Sequence, residues 1–436
     1  MLLTCFQGIA QDENVVPVNL EYILTAGGAN NLTIQEYRQR QELANADQRR
    51  AREWWLPELY AGFQGHQLGG AAMNADGRFF LDVNRRTFWS GMGLNASWDF
   101  GSGIFAAQSA QAQSQAVKHQ AQAERNQALL EAVEAYYDFM TAQLNYQAYE
   151  QLYHQADTIA RQVEVQVEAG MRYESELLLA RSNINHMRVQ MLSARRDFAN
   201  HSARLKRLLN MEPEARLISV DTVLVPLELE EGEELFTDFA EARQRRPEVK
   251  EAQLRLQAVQ LERKTTTTGL LLPTLSFNTW GAAFGGLFSP VQPMFSDQYP
   301  ETQTFYPTGA WDASLMWRIP LGRIFSGGEL QQFNVGVALQ ETRLRQAENR
   351  VNEEVLRARE NMVLSREQME VAEEGSILAR EALQQSILRQ EVGTVRPFEI
   401  LQAQEAYLQN RLDYIRSVSD YNKNQYRLYV AEGNDL

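Results

Sequence analysis

The sequence predicts a mainly α-helical, internally duplicated chain whose four β-strands form part of a membrane β-barrel. Three observations predict it. Paired motifs recur in the two halves: Leu56-Pro57-Glu58-Leu59 returns as Leu272-Pro273-Thr274-Leu275, and Glu168-Ala169-Gly170 returns as Glu391-Val392-Gly393. The second pair carries its downstream residues in register, Glu176-Leu177-Leu178 with Ala180 matching Glu399-Ile400-Leu401 with Ala403. Next, Ile104–Val167 contains neither proline nor glycine, and as a helix it would extend about 90 Å. Finally, all seven tryptophans lie in or beside four short alternating segments. Duplication on this scale, with helices too long for a compact domain, points to a tubular assembly.

At the N-terminus, Met1–Phe6 is apolar and Gly8-Ile9-Ala10 has the small-x-small pattern of a signal-peptidase site. Residues 1–10 therefore read as a truncated signal-peptide remnant. Cys5, the single cysteine, admits a second reading as a lipidated first residue, although Thr4 fits a lipobox poorly. Residues 11–211 read as the first repeat, 212–234 as a connecting equatorial segment, and 235–436 as the second repeat.

Leu20–Trp55 is helical and polar. Hairpin one, about 56–100, has strands at Leu59–His66 and Trp89–Phe100, with a loop over Leu68–Arg86. In its second strand Met92, Leu94, Ala96, Trp98 and Phe100 share a face, opposed by Gly91, Gly93, Asn95, Ser97 and Asp99. Hairpin two, about 273–319, has strands at Leu275–Ala282 and Trp311–Ile319, with a loop over Phe284–Gly309. Trp311, Ala313, Leu315, Trp317 and Ile319 share one of its faces. Strands of this length cross an apolar band ~25 Å tall at a barrel tilt. Trp54, Trp55, Trp89, Trp98, Trp280, Trp311 and Trp317 read as membrane-interface aromatics, since core tryptophans of a soluble sandwich, the competing reading, would scatter. Four strands cannot close a barrel, so several chains must contribute.

Long helices over 104–168 and 172–210 follow hairpin one, and helices over 325–390 and 397–430 follow hairpin two. Arg172–Asn210 carries a heptad seam of Leu177, Ala180, Ile184, Met187, Met191, Ala194, Phe198, His201, Leu205 and Leu208, which implies left-handed supercoiling. The seam of the second copy, Ile400, Ala403, Tyr407, Asn410, Tyr414, Ser417, Tyr421 and Asn424, is more polar. Gly170 and Gly393 read as helix-ending glycines, with Pro397 in the first turn of the returning helix. Met211–Gly232 is irregular and acidic, followed by one helix over Leu235–Thr265.

The ordered set of Leu-Pro pairs, the Gly-rich hairpin ends at Gly101-Ser102-Gly103 and Ser326-Gly327-Gly328, and the triplets Ala169-Gly170-Met171 and Val392-Gly393-Thr394 resembles the TolC-like outer-membrane efflux protein family, from about Leu20 onward. The resemblance implies a homotrimer with a twelve-stranded outer-membrane barrel continued by a helical periplasmic tunnel. It also implies a periplasmic membrane-fusion adaptor and an inner-membrane pump, proton-driven or ATP-driven (ABC type). The two triplets stand where the family docks its adaptor; Ala169 replaces the family's Val and Met171 is bulkier than its small residue. Glu176, Glu399 and Gln402 stand at the family's pore constriction. Gln390 and Val395 occupy the places of the bridging Tyr and Arg, leaving Arg172 or Arg396 to hold the gate. Glu176 and Glu399 also suit helix N-termini electrostatically, and both readings stand.

A net charge of −14 over 436 residues disfavours a nucleic-acid partner. His66, His119, His154, His186 and His201 pair with no cysteine or near histidine, and no phosphate-binding loop appears, so neither enzyme chemistry nor a cofactor is expected. The function implied is a passive exit duct. A coiled-coil envelope scaffold or adhesin without channel activity is the alternative.

Overall fold

The structure, a computed structural model, describes residues 15–73, 77, 79–227, 239–287, 305–319, 327–391 and 397–436. The signal-peptide segment with Cys5, the acidic run Glu228–Glu234, most of the second hairpin loop, Ser326, and Val392–Arg396 lie outside these residues. The chain divides into two compact units: Met1–Glu42 with Ala116–Gln253 and Arg343–Leu436, and Leu43–Gln115 with Leu254–Thr342.

The first unit is helical. A short strand β1 (Val15–Val18) precedes α1 (Leu20–Asn30) and α2 (Leu32–Arg52). The single helical stretch expected over Leu20–Trp55 is thus broken at Asn31. Its side-chain oxygen accepts from the backbone N–H of Thr33 at 2.9 Å and of Ile34 at 3.4 Å, capping α2. The core forms where α3 (Phe100–Glu168) meets α4 (Glu174–Leu208) and α8 (Pro397–Ala431). Val133, Tyr136, Phe139 and Met140 of α3 cluster there with Leu205 and Leu208 of α4 and Ile415 and Val418 of α8. Every position of the α4 heptad seam is buried or half-buried, because a 3.5-residue apolar repeat keeps one stripe turned to its neighbours. The buried stripe of α8 is wider than its heptad seam and takes in Gln404, Leu408, Asn422 and Gln425.

The segment expected to be irregular contains a strand, β4 (Arg216–Ser219), which pairs in parallel with β1. Four residues are too few to show a period, so only the pairing reveals it. Beyond β4, Asn422 donates to the carbonyl of Val225 at 3.0 Å and accepts from the N–H of Leu227 at 2.9 Å. A buried amide thereby supplies the backbone partners that a sheet would otherwise provide. The helix expected over Leu235–Thr265 is two, α5 (Phe239–Arg245) and α6 (Pro247–Thr265). Pro247 lacks an N–H and so opens a helix rather than continuing one.

Arg246, at that break, is the most buried cation of the unit's ion pairs, with a side chain 7 % exposed. It forks onto Glu248 (2.8 and 2.9 Å) and Glu354 of α7 (Gly327–Glu391) at 2.5 Å. Its remaining N–H groups reach the carbonyls of Val430 and Ala431 at the end of α8, 3.4 and 3.3 Å away. Burial pulls the guanidinium pKa down, but the two carboxylates outweigh it and hold it above the ordinary value.

The second unit is built on a four-stranded antiparallel sheet of order β2 (Glu58–Met73), β3 (Phe79–Asp99), β5 (Thr274–Leu287) and β6 (Phe305–Arg318). Hairpin one is longer than the alternation suggested. Most of the expected loop Leu68–Arg86 is strand, with a register shift between Gly70 and Ala72 where Gly70 takes φ +97°. Ladder hydrogen bonds, not side-chain period, extend it.

Helix α3 starts directly at Phe100, not at Ile104, capped by Asp99, whose carboxylate accepts from Ser102 N–H at 3.0 Å. Gly101 and Gly103 are therefore inside the helix. They are small because other atoms press on them. A Cβ at Gly101 would lie 2.3 Å from the carbonyl oxygen of Gly269, and one at Gly103 would lie 2.3 Å from the Trp54 indole. Gly101→Ala is expected to cost about 1–3 kcal/mol through overpacking against backbone that cannot yield. Gly28→Ala, in α1 with nothing within 4 Å, should raise stability by a fraction of a kcal/mol, about 0.5–1. Thermal melts of the two variants check this; equal melting temperatures would refute the close approach.

Candidate functional site

In a strand, successive side chains point to opposite faces, so the register across a sheet assigns every residue a side. Trp98 pairs with Leu275, and Leu275 with Trp317; Ala96 pairs with Phe277, and Phe277 with Leu315; Leu59 pairs with Leu94. One face of the sheet therefore carries Leu59, Ala61 and Phe63, then Met92, Leu94, Ala96 and Trp98, then Leu275 and Phe277, then Trp311, Ala313, Leu315 and Trp317. Leu59 is 73 % exposed, Met92 70 % and Trp311 81 %. The opposite face carries Glu58, Tyr60, Gln64 and His66, then Asn95 and Ser97, then Thr274, Ser276 and Asn278, then Asp312, Ser314 and Arg318.

This face is polar. The apolar face extends over all four strands, interrupted by Ser90 and Thr279, far beyond scattered surface residues, and such a patch marks contact with a partner or with lipid. β2 and β6 each have a single neighbour in the sheet, so each offers a row of unpaired backbone groups.

The seven tryptophans divide between these settings. Trp98, Trp311 and Trp317 stand on the apolar face. Trp89 and Trp280 stand on the polar one, in contact with each other, their ring centroids 4.0 Å apart at 63°. They do not join one girdle with the others. Trp54 packs edge-on against Phe100 at 5.6 Å, and the exposed Trp55 accepts a hydrogen bond at its carbonyl from the Trp98 indole at 2.7 Å. The residues that sequence reasoning left unnamed on the apolar face, Phe63, Phe88 and Phe277, follow from the same alternation once β2 and β5 are paired with β3.

At the other candidate site, α3 ends at Ala169-Gly170-Met171. Gly170 takes φ +70°; its N–H donates to Val167 O and that of Met171 to Gln166 O, both at 2.9 Å. This is the double closure that a left-handed glycine permits. All three tip residues are exposed. Glu176, in the first turn of α4, is bound by Arg172, Nη1 to Oε2 at 3.3 Å, while Arg172 Nε donates to Gln166. Of the two arginines expected as gate partners, Arg172 bonds to Glu176; Arg396 lies outside the described residues. Glu399 and Gln402 are exposed on α8, three residues apart. Ile400 between them packs inward on Ile159 and Val163, so the two polar groups face away from that core. The second triplet, Val392-Gly393-Thr394, lies outside the described residues.

Among the described residues no cluster of His, Cys, Asp and Glu is placed to hold a metal ion, and no helix is long and apolar enough to cross a membrane.

Comparison with known proteins follows the same lines. Residues 28–211 match the family model of the outer membrane efflux protein. No curated protein matches the chain in sequence. Among solved structures, the transmembrane channel CusC superposes with a TM-score of 0.76 at 18 % identity, covering 96 % of this chain and 93 % of its own. The CmeC outer membrane channel of Campylobacter jejuni gives 0.73 at 17 % identity, covering 99 % and 90 %. The MtrE outer membrane channel of Neisseria gonorrhoeae, solved in its open state, gives 0.74 at 15 % identity, covering 95 % and 89 %. The resemblance read from the sequence therefore holds: the chain has the fold of the TolC-like outer-membrane channels, and over residues 28–211 it carries the sequence signature of the outer membrane efflux protein family.

Proposed function

We propose that the chain is the outer-membrane duct of an efflux or secretion system, a homotrimer that gives pumped substrates a passive way out of the cell. The observation that carries this reading is the two-faced sheet. Its apolar side would meet outer-membrane lipid, its polar side would line water, and copies of the chain would pair β2 with β6 to close a twelve-stranded wall. The names of the solved channels that share the fold support the same role. A water-filled passage needs no catalysis and no alternating access in this chain; energy would come from an inner-membrane pump, joined through a periplasmic adaptor docked on Ala169-Gly170-Met171 and Val392-Gly393-Thr394. The test is extraction and current. The membrane fraction should release the protein only with detergent, and the purified trimer should give unitary conductance in planar bilayers. A scaffold or adhesin would give none.

In this reading Glu176, Glu399 and Gln402 form the constriction, and Arg172 holds Glu176 in place. The pair is partly buried, its side chains 15 % and 26 % exposed, and its 3.3 Å contact is long, so it contributes only about 0.5–1 kcal/mol. Arg172→Ala should therefore raise the open fraction of single channels about two- to fivefold, without dissociating trimers. Unchanged gating in Arg172→Ala would remove Arg172 and Glu176 from the gate.

A further inference from the structure

Trp89 and Trp280 stand on a mainly polar face, where indoles gain nothing from water. Their surroundings explain them. Tyr60 pairs with Gly93, Gly93 with Trp280, and Trp280 with Asp312, so these four residues form one row across all four strands. Gly93 has no side chain to fill the space between the two rings, and the phenol of Tyr60 lies over it: a Cβ there would meet Tyr60 Cζ at 2.3 Å. In the next row Gly62 pairs with Gly91, and the Trp89 indole leans across this bare strip to touch Trp280. The result is a cavity of about 500 Å³ with a glycine floor and three aromatic walls. Gln64, His66 and Asp312 line it as well, and Asp312 is exposed and makes no ion pair among the described residues.

Ring faces carry negative potential and attract a cation that is poorly hydrated. A carboxylate beside them adds a counter-charge at hydrogen-bonding or ion-pairing distance. We propose that this cavity binds organic cations of the substituted-ammonium class, the charged head enclosed by Tyr60, Trp89 and Trp280 and neutralised by Asp312. Its place inside a conducting passage rests on the duct reading; the binding itself does not.

Titration of the full-length protein in detergent with benzyltrimethylammonium, followed by tryptophan fluorescence and calorimetry, tests the site. Saturable binding is expected, weakened about tenfold in Trp280→Ala and again in Asp312→Asn, and weakened likewise in Gly93→Val, whose side chain displaces the Tyr60 phenol from its place over the glycine. Asp312→Asn alters an exposed group without changing its size, so it keeps the test informative where Gly93→Val fails to fold. Benzyl alcohol, the same ring without charge, should bind far more weakly. Absence of saturable binding, equal affinity in wild type and Asp312→Asn, or equal affinity for benzyl alcohol would each overturn the proposal. Conductance measured on the same preparations separates the two ideas: current without cation binding sinks only this inference, and cation binding without current sinks only the duct.

Discussion

Met92→Arg is expected to abolish membrane assembly, while Asn278→Arg leaves it intact. Met92 lies on the apolar face of the central strand β3, between Ala61 and Gly281 in the ladder, and is 70 % exposed. Asn278 is also exposed but stands on the polar face, between Asn95 and Ser314. Both substitutions add the same charge to the same sheet. Against lipid, an arginine near the bilayer midplane costs about 2–4 kcal/mol. In a trimer the cost is threefold, on the order of 6–12 kcal/mol. On a water-lined face the added guanidinium stays hydrated, and the cost is near zero. Methionine and arginine are both long and unbranched at Cβ, so packing changes little and the comparison isolates solvation. Quantifying detergent-extractable trimer in membrane fractions, at matched expression, checks the difference. If Met92→Arg assembles as wild type does, that face does not meet lipid; if Asn278→Arg fails equally, the two faces are not distinct.

That contrast was legible in the residues of β3 and β6, because period-two alternation survives in both. It was not legible over Leu68–Arg86, where glycine, alanine and consecutive apolar residues erase the period and only the ladder with the neighbouring strand defines β2 and β3. The clustering of tryptophans along the chain was plain, yet proximity in sequence grouped Trp89 and Trp280 with the rest. Parity separates them: Trp89 is out of phase with Trp98, and Trp280 with Leu275 and Phe277. Gly101 and Gly103 looked like a turn for the opposite reason. Their smallness serves close contact with Gly269 and Trp54, and composition cannot tell a glycine chosen for its dihedral freedom from one chosen for its size. At the helix tip, Gly170 was readable as a left-handed cap. The bond from Arg172 to Glu176 is not a helix-surface pair: Arg172 stands in the bend before α4 and reaches forward to its first turn.

Arg246 lies beyond any such local rule, and its loss is expected to have the second large effect. Its partners Glu354 and Val430 are 108 and 184 residues away, so no window of sequence contains the site. Arg246→Met removes the cation and leaves Glu248, Glu354 and two helix-end carbonyls facing a largely apolar side chain. Breaking a buried pair costs about 3–5 kcal/mol. Here the carboxylates are 38 % and 42 % exposed and can recover some hydration, which places the expectation at about 2–3 kcal/mol. Arg246→Lys should recover only part, since a point charge cannot fork onto two carboxylates and two carbonyls together. Glu354→Gln should cost no more than about 1 kcal/mol, because the amide still accepts a hydrogen bond. Helicity followed through thermal unfolding would order the three variants. A lysine variant as stable as wild type would show that charge alone matters at this break between α5 and α6. A methionine variant as stable as wild type would show that the guanidinium joins nothing, and that α6, α7 and α8 are held together by Val249, Val355 and Leu428 packing instead.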